Sequence, residues 1–166
     1  MSAAGRLGWV VQTLDPPPDA DVLELGGGNG AAAALILERL TAGTYVGLDR
    51  SELQTERAAR RNAPAVAAGR ARFLTGPLEA ADFPSGSFDL VFASSVNLFW
   101  TRAAGAELRR LMRLLRPGGR LWLFYEAFTV AGAGELEAKL RTTFAAAALA
   151  PDVVRAGRRV AVNAAT

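Results

Sequence analysis

Short apolar runs alternate with longer segments of mixed polarity along most of the chain, beginning near residue 21. Each run ends at a glycine or a polar residue, as the strands of a buried sheet commonly do. The runs predict strands at Asp21–Leu25, Thr44–Leu48, Arg70–Leu74, Phe88–Ala93 and Arg120–Tyr125. Because strands that alternate with helices pair in parallel through right-handed crossovers, we expect a parallel sheet that is covered on both faces.

The segments between these strands carry helix signals. Ala31–Leu40 is rich in alanine and leucine, which favour helix. Ser51 is the predicted N-cap of the next helix, and Gln54 is its capping-box partner. We expect this helix to run to about Asn62, because the residue before Pro64 is biased away from helix.

The second half of the chain continues the alternation. An apolar stripe at helical spacing predicts a helix that the Pro-Gly-Gly segment 117–119 ends, and its members are Leu108, Leu111, Met112 and Leu115. A further helix is predicted over Glu135–Leu149. Two short segments, Val153–Ala156 and Arg159–Val162, predict a closing strand pair with Gly157 in the connection.

The amino-terminal segment differs from the rest of the chain. A first helix is predicted over Gly5–Leu14, and the proline-rich segment Asp15–Asp19 predicts a stiff linker after it. The chain of 166 residues is long enough for one domain with a substantial core. We therefore expect a short helix and linker in residues 1–20 and the principal domain in residues 21–166.

Composition narrows the chemistry. The chain has no Cys and no His, which excludes disulfides and a catalytic triad with a His base, and no metal site is expected. The formal net charge is +3, and the basic segment 109–116 is expected on a solvated helix face, so nucleic-acid binding is disfavoured. Without a membrane-length apolar run or a secretory signal, we expect a cytoplasmic protein with no membrane partner.

Residues 22–30, Val-Leu-Glu-Leu-Gly-Gly-Gly-Asn-Gly, carry the strongest functional signal. A buried strand leads into glycines that tolerate left-handed conformations and let backbone approach a ligand ahead of a helix. Gly26, Gly28 and Ala31 match a loose dinucleotide fingerprint, and Asp49 lies where an acid accepts both ribose hydroxyls. These features alone suit a dehydrogenase and a methyltransferase equally.

Three further features separate these alternatives. Glu24 is an acid inside an apolar strand, Gly76–Asp89 contains a Gly-Pro-Leu-Glu turn, and Arg116–Gly119 precedes the fifth strand. In this order and spacing, the set resembles the class I S-adenosylmethionine-dependent methyltransferases of the type 11/25 kind. The resemblance covers residues 21–126 closely and the remainder in layout. It implies a doubly wound, mostly parallel α/β sheet that is Rossmann-like and seven-stranded, in the order 3-2-1-4-5-7-6, with helices on both faces in a three-layer sandwich.

The resemblance also implies a site for S-adenosylmethionine, which becomes S-adenosylhomocysteine on methyl transfer. Glu24 would orient the glycine loop and help to hold the aminopropyl end, Asp49 would grip the ribose, and Arg50 would flank the adenine. The backbone N–H of Leu78 would reach the adenine ring, and Ser94 would lie near the methionine part. The implied cofactor residues are Glu24, Gly26, Gly27, Gly28, Asn29, Gly30, Asp49, Arg50, Leu78 and Ser94.

The adenine turn departs from the family pattern. The family often has an acid directly after the turn glycine, and this chain has Pro77 at that position. Either the nearby Glu79 takes over the contact with the adenine amino group, or that contact is absent. The ribose and methionine contacts do not depend on it.

The acceptor side carries weaker signals, because none of its residues matches a family motif. Asn97, Phe99 and Trp100 follow the fourth strand and are candidate substrate-binding residues, although the two aromatics equally suit a core. Tyr125 and Glu126 follow the fifth strand and, together with Asn97, are the candidate catalytic residues. Two residues of the first helix would either cover the cofactor or pack in the core, namely Trp9 and Gln12.

The sequence therefore predicts an S-adenosylmethionine-dependent methyltransferase with a small-molecule acceptor. Methyl transfer from a sulfonium needs alignment more than a dedicated acid or base, which suits a chain without His or Cys. Two alternatives stay open: an S-adenosylmethionine-binding module or partner subunit without activity, and an NAD-dependent oxidoreductase. The acceptor side is also compatible with a homodimer in which a second copy completes the pocket.

Overall fold

In the computed structural model, the backbone is described for residues 3–101 and 104–166, and side chains are described for residues 5–99 and 104–166. The strands are β1 (Val22–Leu25), β2 (Tyr45–Asp49), β3 (Ala71–Thr75), β4 (Phe88–Ser94), β5 (Leu115–Glu126), β6 (Asp152–Ala156) and β7 (Arg159–Ala165). The helices are α1 (Ala3–Leu14), α2 (Ala31–Leu37), α3 (Glu52–Arg61), α4 (Ala63–Ala67), α5 (Leu98–Thr101), α6 (Gly105–Leu114) and α7 (Val130–Ala146), and a 3₁₀ turn covers Leu78–Ala80. Within these ranges, no helix is both long and apolar enough to cross a membrane.

The strands form one seven-stranded sheet in the order β3-β2-β1-β4-β5-β7-β6, which confirms the predicted fold. Strands β1 to β5 pair in parallel, whereas β7 is antiparallel to both β5 and β6. The first strand, β1, lies between β2 and β4, so the strand order reverses there. In an open α/β sheet, a crevice forms beyond the carboxyl ends of the strands at this reversal.

Two apolar cores lie on opposite faces of the sheet. The first connects the strands to α6 and α7 through residues that include Leu23, Val91, Leu108 and Phe144. The second connects them to α1 and α2 through residues that include Val22, Phe92, Val10 and Ile36. Consecutive strand residues point to opposite faces, so both must be apolar when both faces are covered. The division of the chain at residue 20 stays a prediction.

The junction of α6 and β5 differs from the prediction. The apolar stripe assigns Leu115 to the helix, but Leu115 pairs with Phe88 as the first residue of β5. The register then shifts before Leu90, and Gly118, with a φ of 81°, lies in the irregular stretch. The prediction that segment 117–119 separates the helix from the strand is therefore wrong. Leu115 is buried, and burial in a strand leaves the same apolar signal as burial in a helix.

Arg116 is likewise part of β5 and not of a solvated helix face. Its Nη1 donates to Asp89 Oδ2 at 2.7 Å, and its Nη2 donates to Asp21 Oδ2 at 2.8 Å. The N–H of Asp21 also donates to Asp89 Oδ2, at 2.8 Å. This Arg116 cluster connects β1, β4 and β5 at the amino ends of the strands, opposite the crevice.

The last helix begins earlier than predicted, because its bounds are Val130–Ala146 and not Glu135–Leu149. Thr129 caps it, since its side-chain oxygen accepts a hydrogen bond from the N–H of Gly132 at 2.9 Å. Gly132 and Gly134 lower the helix propensity of the first turns, which concealed this start in the sequence.

Helical structure also continues beyond Pro64. The helix α3 ends at Arg61 as expected, but α4 follows at once with Pro64 in its first turn. A proline in the first turn loses no intrahelical hydrogen bond. The N-cap prediction is confirmed, because the side chain of Ser51 accepts a hydrogen bond from the N–H of Gln54 at 3.4 Å. The capping-box prediction is wrong, because the N–H of Ser51 donates to Asp49 Oδ1 and the buried Gln54 Oε1 has no hydrogen-bond partner among the described residues.

Candidate functional site

The carboxyl ends of β1 and β2 and the segments after β3 and β4 enclose a cleft of about 550 Å³. Cofactor and small-molecule sites typically have volumes of about 300–1,000 Å³. Six of the predicted site residues line the cleft, namely Gly26, Asp49, Arg50, Leu78, Asn97 and Phe99. The sheet thus brings together residues from four separate segments of the chain.

The glycine loop after β1 follows the predicted path from strand to turn to helix. Gly26, Gly28 and Gly30 have φ angles of 68°, 52° and 75°, a region that other residues rarely adopt. A Cβ added at Gly26 would lie 2.6 Å from Val96 Cγ2, whereas one added at Gly28 would meet no described atom within 4 Å. The loop is therefore packed against the protein at Gly26 and open at Gly28, where a ligand can approach the backbone.

Asp49 holds this loop from the end of β2. Its Oδ2 accepts a hydrogen bond from the N–H of Gly28 at 2.9 Å, and its Oδ1 accepts one from the N–H of Ser51 at 2.9 Å. An ionised carboxylate offers about four acceptor sites. Asp49 therefore keeps acceptor capacity on the cleft side after both backbone contacts are made.

Glu24 lies beneath the glycine loop and not on the cleft wall. It is 3% exposed, and its Oε2 accepts a hydrogen bond from the buried Tyr45 hydroxyl. A Cβ added at Gly27 would lie 3.1 Å from this Oε2 atom, so the carboxyl packs directly under the loop backbone. Burial raises the pKa of Glu24 to about 7; the Tyr45 hydrogen bond opposes the shift, and the charge of Asp49 adds to it. The sequence carries no signal for the Tyr45 partner.

The 3₁₀ turn after β3 forms another wall of the cleft. Leu78 is buried and lines the cleft beside Gly76 and Glu79. The Glu79 carboxylate lies 3.8 Å from the Arg50 guanidinium, so opposite charges meet at the cleft. The side chain of Arg50 is 71% exposed and that of Glu79 is 52% exposed. Solvent therefore screens the pair and leaves both side chains free to turn toward a ligand.

The segment after β4 leads from the cleft to a second cavity. Ser95 has a φ of 61°, and its N–H donates to the Phe124 carbonyl at 2.8 Å. The carbonyl of Val96 accepts a hydrogen bond from the Tyr125 hydroxyl at 2.6 Å. Asn97 lines both the cleft and the second cavity. It therefore marks the junction of the two cavities.

The second cavity, of about 480 Å³, lies between the end of β5 and the first turns of α7. Ala127, Phe128 and Leu136 contribute apolar surface, and Ser95 and Asn97 contribute polar groups. Phe128 is 98% exposed, which is unusual for a large apolar side chain beside a cavity. Such a surface suits a small ligand with an apolar part and a few polar groups.

Both candidate catalytic residues on β5 already have partners. Burial raises the pKa of Tyr125 above its usual range, and its hydroxyl donates to the Val96 carbonyl. The Glu126 carboxylate pairs with the Arg158 guanidinium at 3.0 Å. Both residues line the second cavity, where they contribute to its shape and polarity.

Among the aromatic candidates, Phe99 is fully buried and also lines the cleft, so it belongs to both the core and the cleft wall. Trp100 is part of α5, but its side chain lies outside the described residues. Trp9 packs edge-on against Phe124 with 5.5 Å between ring centroids. Neither Trp9 nor the exposed Gln12 lines either of these two cavities.

Three remaining candidates do not line the cleft. Asn29 is exposed at the tip of the glycine loop, and Gly30 is the buried residue from which α2 begins. Ser94 ends β4 and pairs with Phe124 of β5. Within the described residues, no group of three or more His, Cys, Asp or Glu side chains is arranged to hold a metal ion.

Comparison with protein families gives a match over residues 22–119 to a family described as a methyltransferase domain. The match covers more than half of the chain, from β1 to the irregular start of β5.

Among curated proteins, the chain is similar to the nocamycin O-methyltransferase of Saccharothrix syringae, with 39% identity over 69% of this chain and 40% of that protein. It is also similar to the trans-aconitate 2-methyltransferase of Acidovorax sp. (strain JS42), with 36% identity over 63% of this chain and 38% of that protein. The chain thus spans about two fifths of the length of these relatives.

Among solved structures, an S-adenosylmethionine-dependent methyltransferase from Aquifex aeolicus superposes with a TM-score of 0.78 at 16% identity, covering 96% of this chain and 88% of that chain. A second, from Mesorhizobium loti, superposes with a TM-score of 0.72 at 19% identity, covering 99% of this chain and 100% of that chain. At these identities, the likeness establishes the fold alone.

Proposed function

Because the chain belongs to the class I S-adenosylmethionine-dependent methyltransferases, we propose that it transfers a methyl group from S-adenosylmethionine to a small-molecule acceptor. The observation that carries this proposal is the pair of cavities that share Asn97. The first cavity has the glycine loop and the acid that the donor requires. The second gives an acceptor its own route to the junction.

The glycine loop and its neighbours fit the methionine and ribose parts of this donor. The methionine end is assigned to the open space at Gly28, against loop backbone. That Ser94 lies near the methionine part stays a prediction. The remaining acceptor capacity of Asp49 serves the ribose hydroxyls. Glu24 is a positioning residue, because it acts on the ligand through the loop that it supports.

The adenine ring is assigned to the wall at Leu78, beside Arg50. Glu79 lines the same wall and has an exposed carboxylate. It can therefore accept the hydrogen bond from the adenine amino group that an acid at position 77 makes in the family. An adenine amino group is a donor and needs such an acceptor. On this assignment, Arg50 exchanges its weak contact with Glu79 for the face of the adenine.

The chemistry asks the protein for alignment and exclusion of water. When bound, the sulfonium of S-adenosylmethionine supplies the reactive methyl group. Asn97 presents an amide at the junction, where it orients a polar acceptor group. Tyr125 holds the preceding backbone through the Val96 carbonyl and so acts as a positioning residue. No dedicated base is assigned.

The small-molecule class of the acceptor follows from the second cavity, whose volume of about 480 Å³ suits a metabolite-sized ligand. The acceptor named for the Acidovorax relative, trans-aconitate, is itself a small molecule and supports this class. A homodimer that completes the acceptor side stays a prediction, and light scattering at assay concentration measures it.

Isothermal titration calorimetry with S-adenosylmethionine, S-adenosylhomocysteine and NAD tests the donor assignment. We expect both adenosyl compounds to bind and NAD to give no heat. Release of S-adenosylhomocysteine during incubation with a panel of small acceptors then measures transfer. Binding of NAD without either adenosyl compound would overturn the proposal. Donor binding without transfer to any acceptor would support the inactive binding module instead.

A further inference from the structure

Phe128 follows β5 at the rim of the second cavity, and its side chain is 98% exposed. Single exposed apolar side chains are common on protein surfaces and need no functional reason. Leu53 and Val66 are such residues, and neither lines either of the two cavities. Phe128 differs from them because it lines a cavity that shares Asn97 with the donor cleft.

The backbone around Phe128 is held in place by the turn between β6 and β7. Arg158 Nη1 donates a hydrogen bond to the Phe128 carbonyl at 3.0 Å, and the N–H of Ala127 donates to the Arg158 carbonyl at 2.9 Å. On the other side of Phe128, Thr129 caps α7 by accepting the N–H of Gly132. The ring is therefore presented from a fixed segment, and a contact surface that is already positioned costs less entropy on binding.

Most polar side chains that line the second cavity already have partners within the protein. The hydroxyls of Ser95 and Tyr125 and the carboxylate of Glu126 each take part in a hydrogen bond or an ion pair. The side chain of Thr129 is used in the helix cap, and Asn97 also has a partner. The apolar part of the lining is therefore what the protein leaves for a ligand to cover.

The charges of the described lining residues balance one another. Glu126 is neutralised by Arg158. Glu135 and Lys139 are both exposed and carry opposite charges one helical turn apart on α7. Among these residues, no cation is left in excess to bind a polyanion. An uncharged ligand also gives up less hydration than a polyanion when it enters such a cavity.

We propose that Phe128 determines acceptor specificity by packing against an aromatic ring of an uncharged acceptor. This inference rests on the proposed function, because it assigns an occupant to the second cavity. Offset and edge-on contacts between aromatic rings are favourable beyond the area that they bury. The volume of about 480 Å³ accommodates a molecule of one or two rings, with its polar group directed toward Asn97 at the junction.

Indole is a suitable probe, because it is an uncharged two-ring molecule with one polar N–H group. It is titrated into protein saturated with S-adenosylhomocysteine and followed by amide chemical shifts. We expect shifts in residues 126–132 and at Asn97, and none at Val66. Glutarate, a small dianion, is the comparison ligand and should cause none of these shifts.

Phe128→Ala removes the ring and should raise the dissociation constant of indole at least about fivefold. Phe128→Leu keeps an apolar side chain and should recover part of this loss. Leu53→Ala is the matched control, because it removes an exposed apolar side chain from α3. L53A should bind indole as the wild type does. All three variants should bind S-adenosylhomocysteine normally, since neither residue lines the donor cleft.

Equal indole affinity in F128A and the wild type overturns the proposal, as does a wild type that binds glutarate and not indole, or neither. Light scattering tests a second copy of the chain as the occupant. A wild-type dimer that F128A dissociates, without shifts from indole in residues 126–132, also overturns the proposal. Failure of the wild type to bind S-adenosylhomocysteine rejects the proposed function first, whereas normal binding of that compound with unaffected variants rejects the role of Phe128 alone.

Discussion

The two carboxylates at the glycine loop, Asp49 and Glu24, have different roles. Asp49 is on the cleft wall, and it holds Gly28 through a backbone N–H while keeping acceptor capacity for a ligand. Glu24 is buried under the loop, where its only described hydrogen-bond partner is the Tyr45 hydroxyl. Asp49 can therefore act on a ligand directly, and Glu24 acts through the backbone above it.

Asp49→Ala removes the acceptor for two backbone N–H groups and the proposed ribose contact together. We expect the rise in thermal midpoint caused by S-adenosylhomocysteine to disappear, because stabilisation by a ligand falls with its affinity. A thermal-shift assay measures this. Asp152→Ala, at an exposed position of β6, is the matched control and should retain the full rise. A full rise in D49A would contradict the ribose assignment.

The pKa of Glu24 makes folding stability depend on pH. Burial raises it from an ordinary value of 4.5 to about 7, so the folded state binds this proton more tightly than the unfolded state. The contribution of protonated Glu24 to the free energy of unfolding is fully present below the pKa of Glu24 in the unfolded chain. It is lost as the pH rises through the pKa of Glu24 in the folded protein.

Glu24→Gln stays neutral at every pH and avoids this loss. Between about pH 5 and about pH 8, the unfolding free energy of E24Q should rise relative to the wild type by up to roughly 3 kcal/mol. Urea titrations at both pH values measure it. Glu38→Gln, exposed at the end of α2, should differ from the wild type by the same amount at both. A difference between E24Q and the wild type that does not vary with pH would refute the buried, protonatable Glu24.

At the scale of secondary structure elements, the Arg116 cluster is the counterpart of the cleft at the opposite edge of the sheet. It ties β4 and β5 to the start of β1, and so it sets the relative positions of the strands whose other ends carry the glycine loop and Asn97. Burial alone would raise the pKa of Asp21, but the hydrogen bonds from Thr44 and Arg116 outweigh it and lower the pKa below its usual value.

Arg116→Met removes both ion pairs and leaves Asp21 and Asp89 close together. We expect the unfolding free energy to fall by about 1–2 kcal/mol at neutral pH, a moderate loss because solvent partly screens the guanidinium. Ionised Asp21 contributes to the free energy of unfolding above its pKa in the unfolded chain. This contribution is lost as the pH falls through the lowered pKa of Asp21 in the folded protein. The difference between R116M and the wild type should therefore shrink in acid.

Denaturant unfolding at neutral and acid pH measures the effect of R116M. Arg120→Met is its control, because Arg120 is exposed on the same strand. It should change the unfolding free energy by less than about 0.5 kcal/mol. Equal losses in R116M and R120M would show that the ion pairs do not stabilise the sheet.

At the scale of the whole molecule, the reversal of strand order at β1 brings distant segments to one edge. The cleft gathers its walls from the glycine loop, the end of β2, the 3₁₀ turn and the segment after β4. The β6–β7 hairpin lies at the far edge of the sheet and contributes no wall to the cleft. A ligand in the cleft should therefore restrain four separated segments and leave the hairpin unchanged.

Hydrogen exchange with and without S-adenosylhomocysteine tests this distribution. We expect slower exchange in residues 26–30, 49–51, 76–80 and 94–98, because a bound ligand suppresses local opening where it makes contact. The β6–β7 hairpin is the internal control and should exchange at the same rate in both states. Protection that is confined to the hairpin, or absent from residues 26–30, would place the ligand elsewhere.

Local features account for most of what could be predicted. Burial on both faces of the sheet shows in the mostly apolar run Val22–Leu25 itself, and the left-handed turn shows in Gly26 and Gly28, because both properties belong to short segments. The errors at Leu115 and Thr129 have local causes too. A buried leucine looks the same in a strand and in a helix, and Gly132 masked the helix that Thr129 caps.

The strand, turn and helix around residues 22–37 and the acid at Asp49 could be predicted from local sequence, and the family resemblance predicted the sheet order. Three features became visible only in the folded chain: Tyr45 lies against Glu24, Arg6 donates to Ser95, and Asn97 lies between two cavities. These contacts join residues that are far apart in the chain. Tyr45 reaches Glu24 from the neighbouring strand β2, Arg6 reaches Ser95 from α1, and the cavities form where parallel strands end at a common edge. The local pattern of the sequence does not specify which side chains meet in this way.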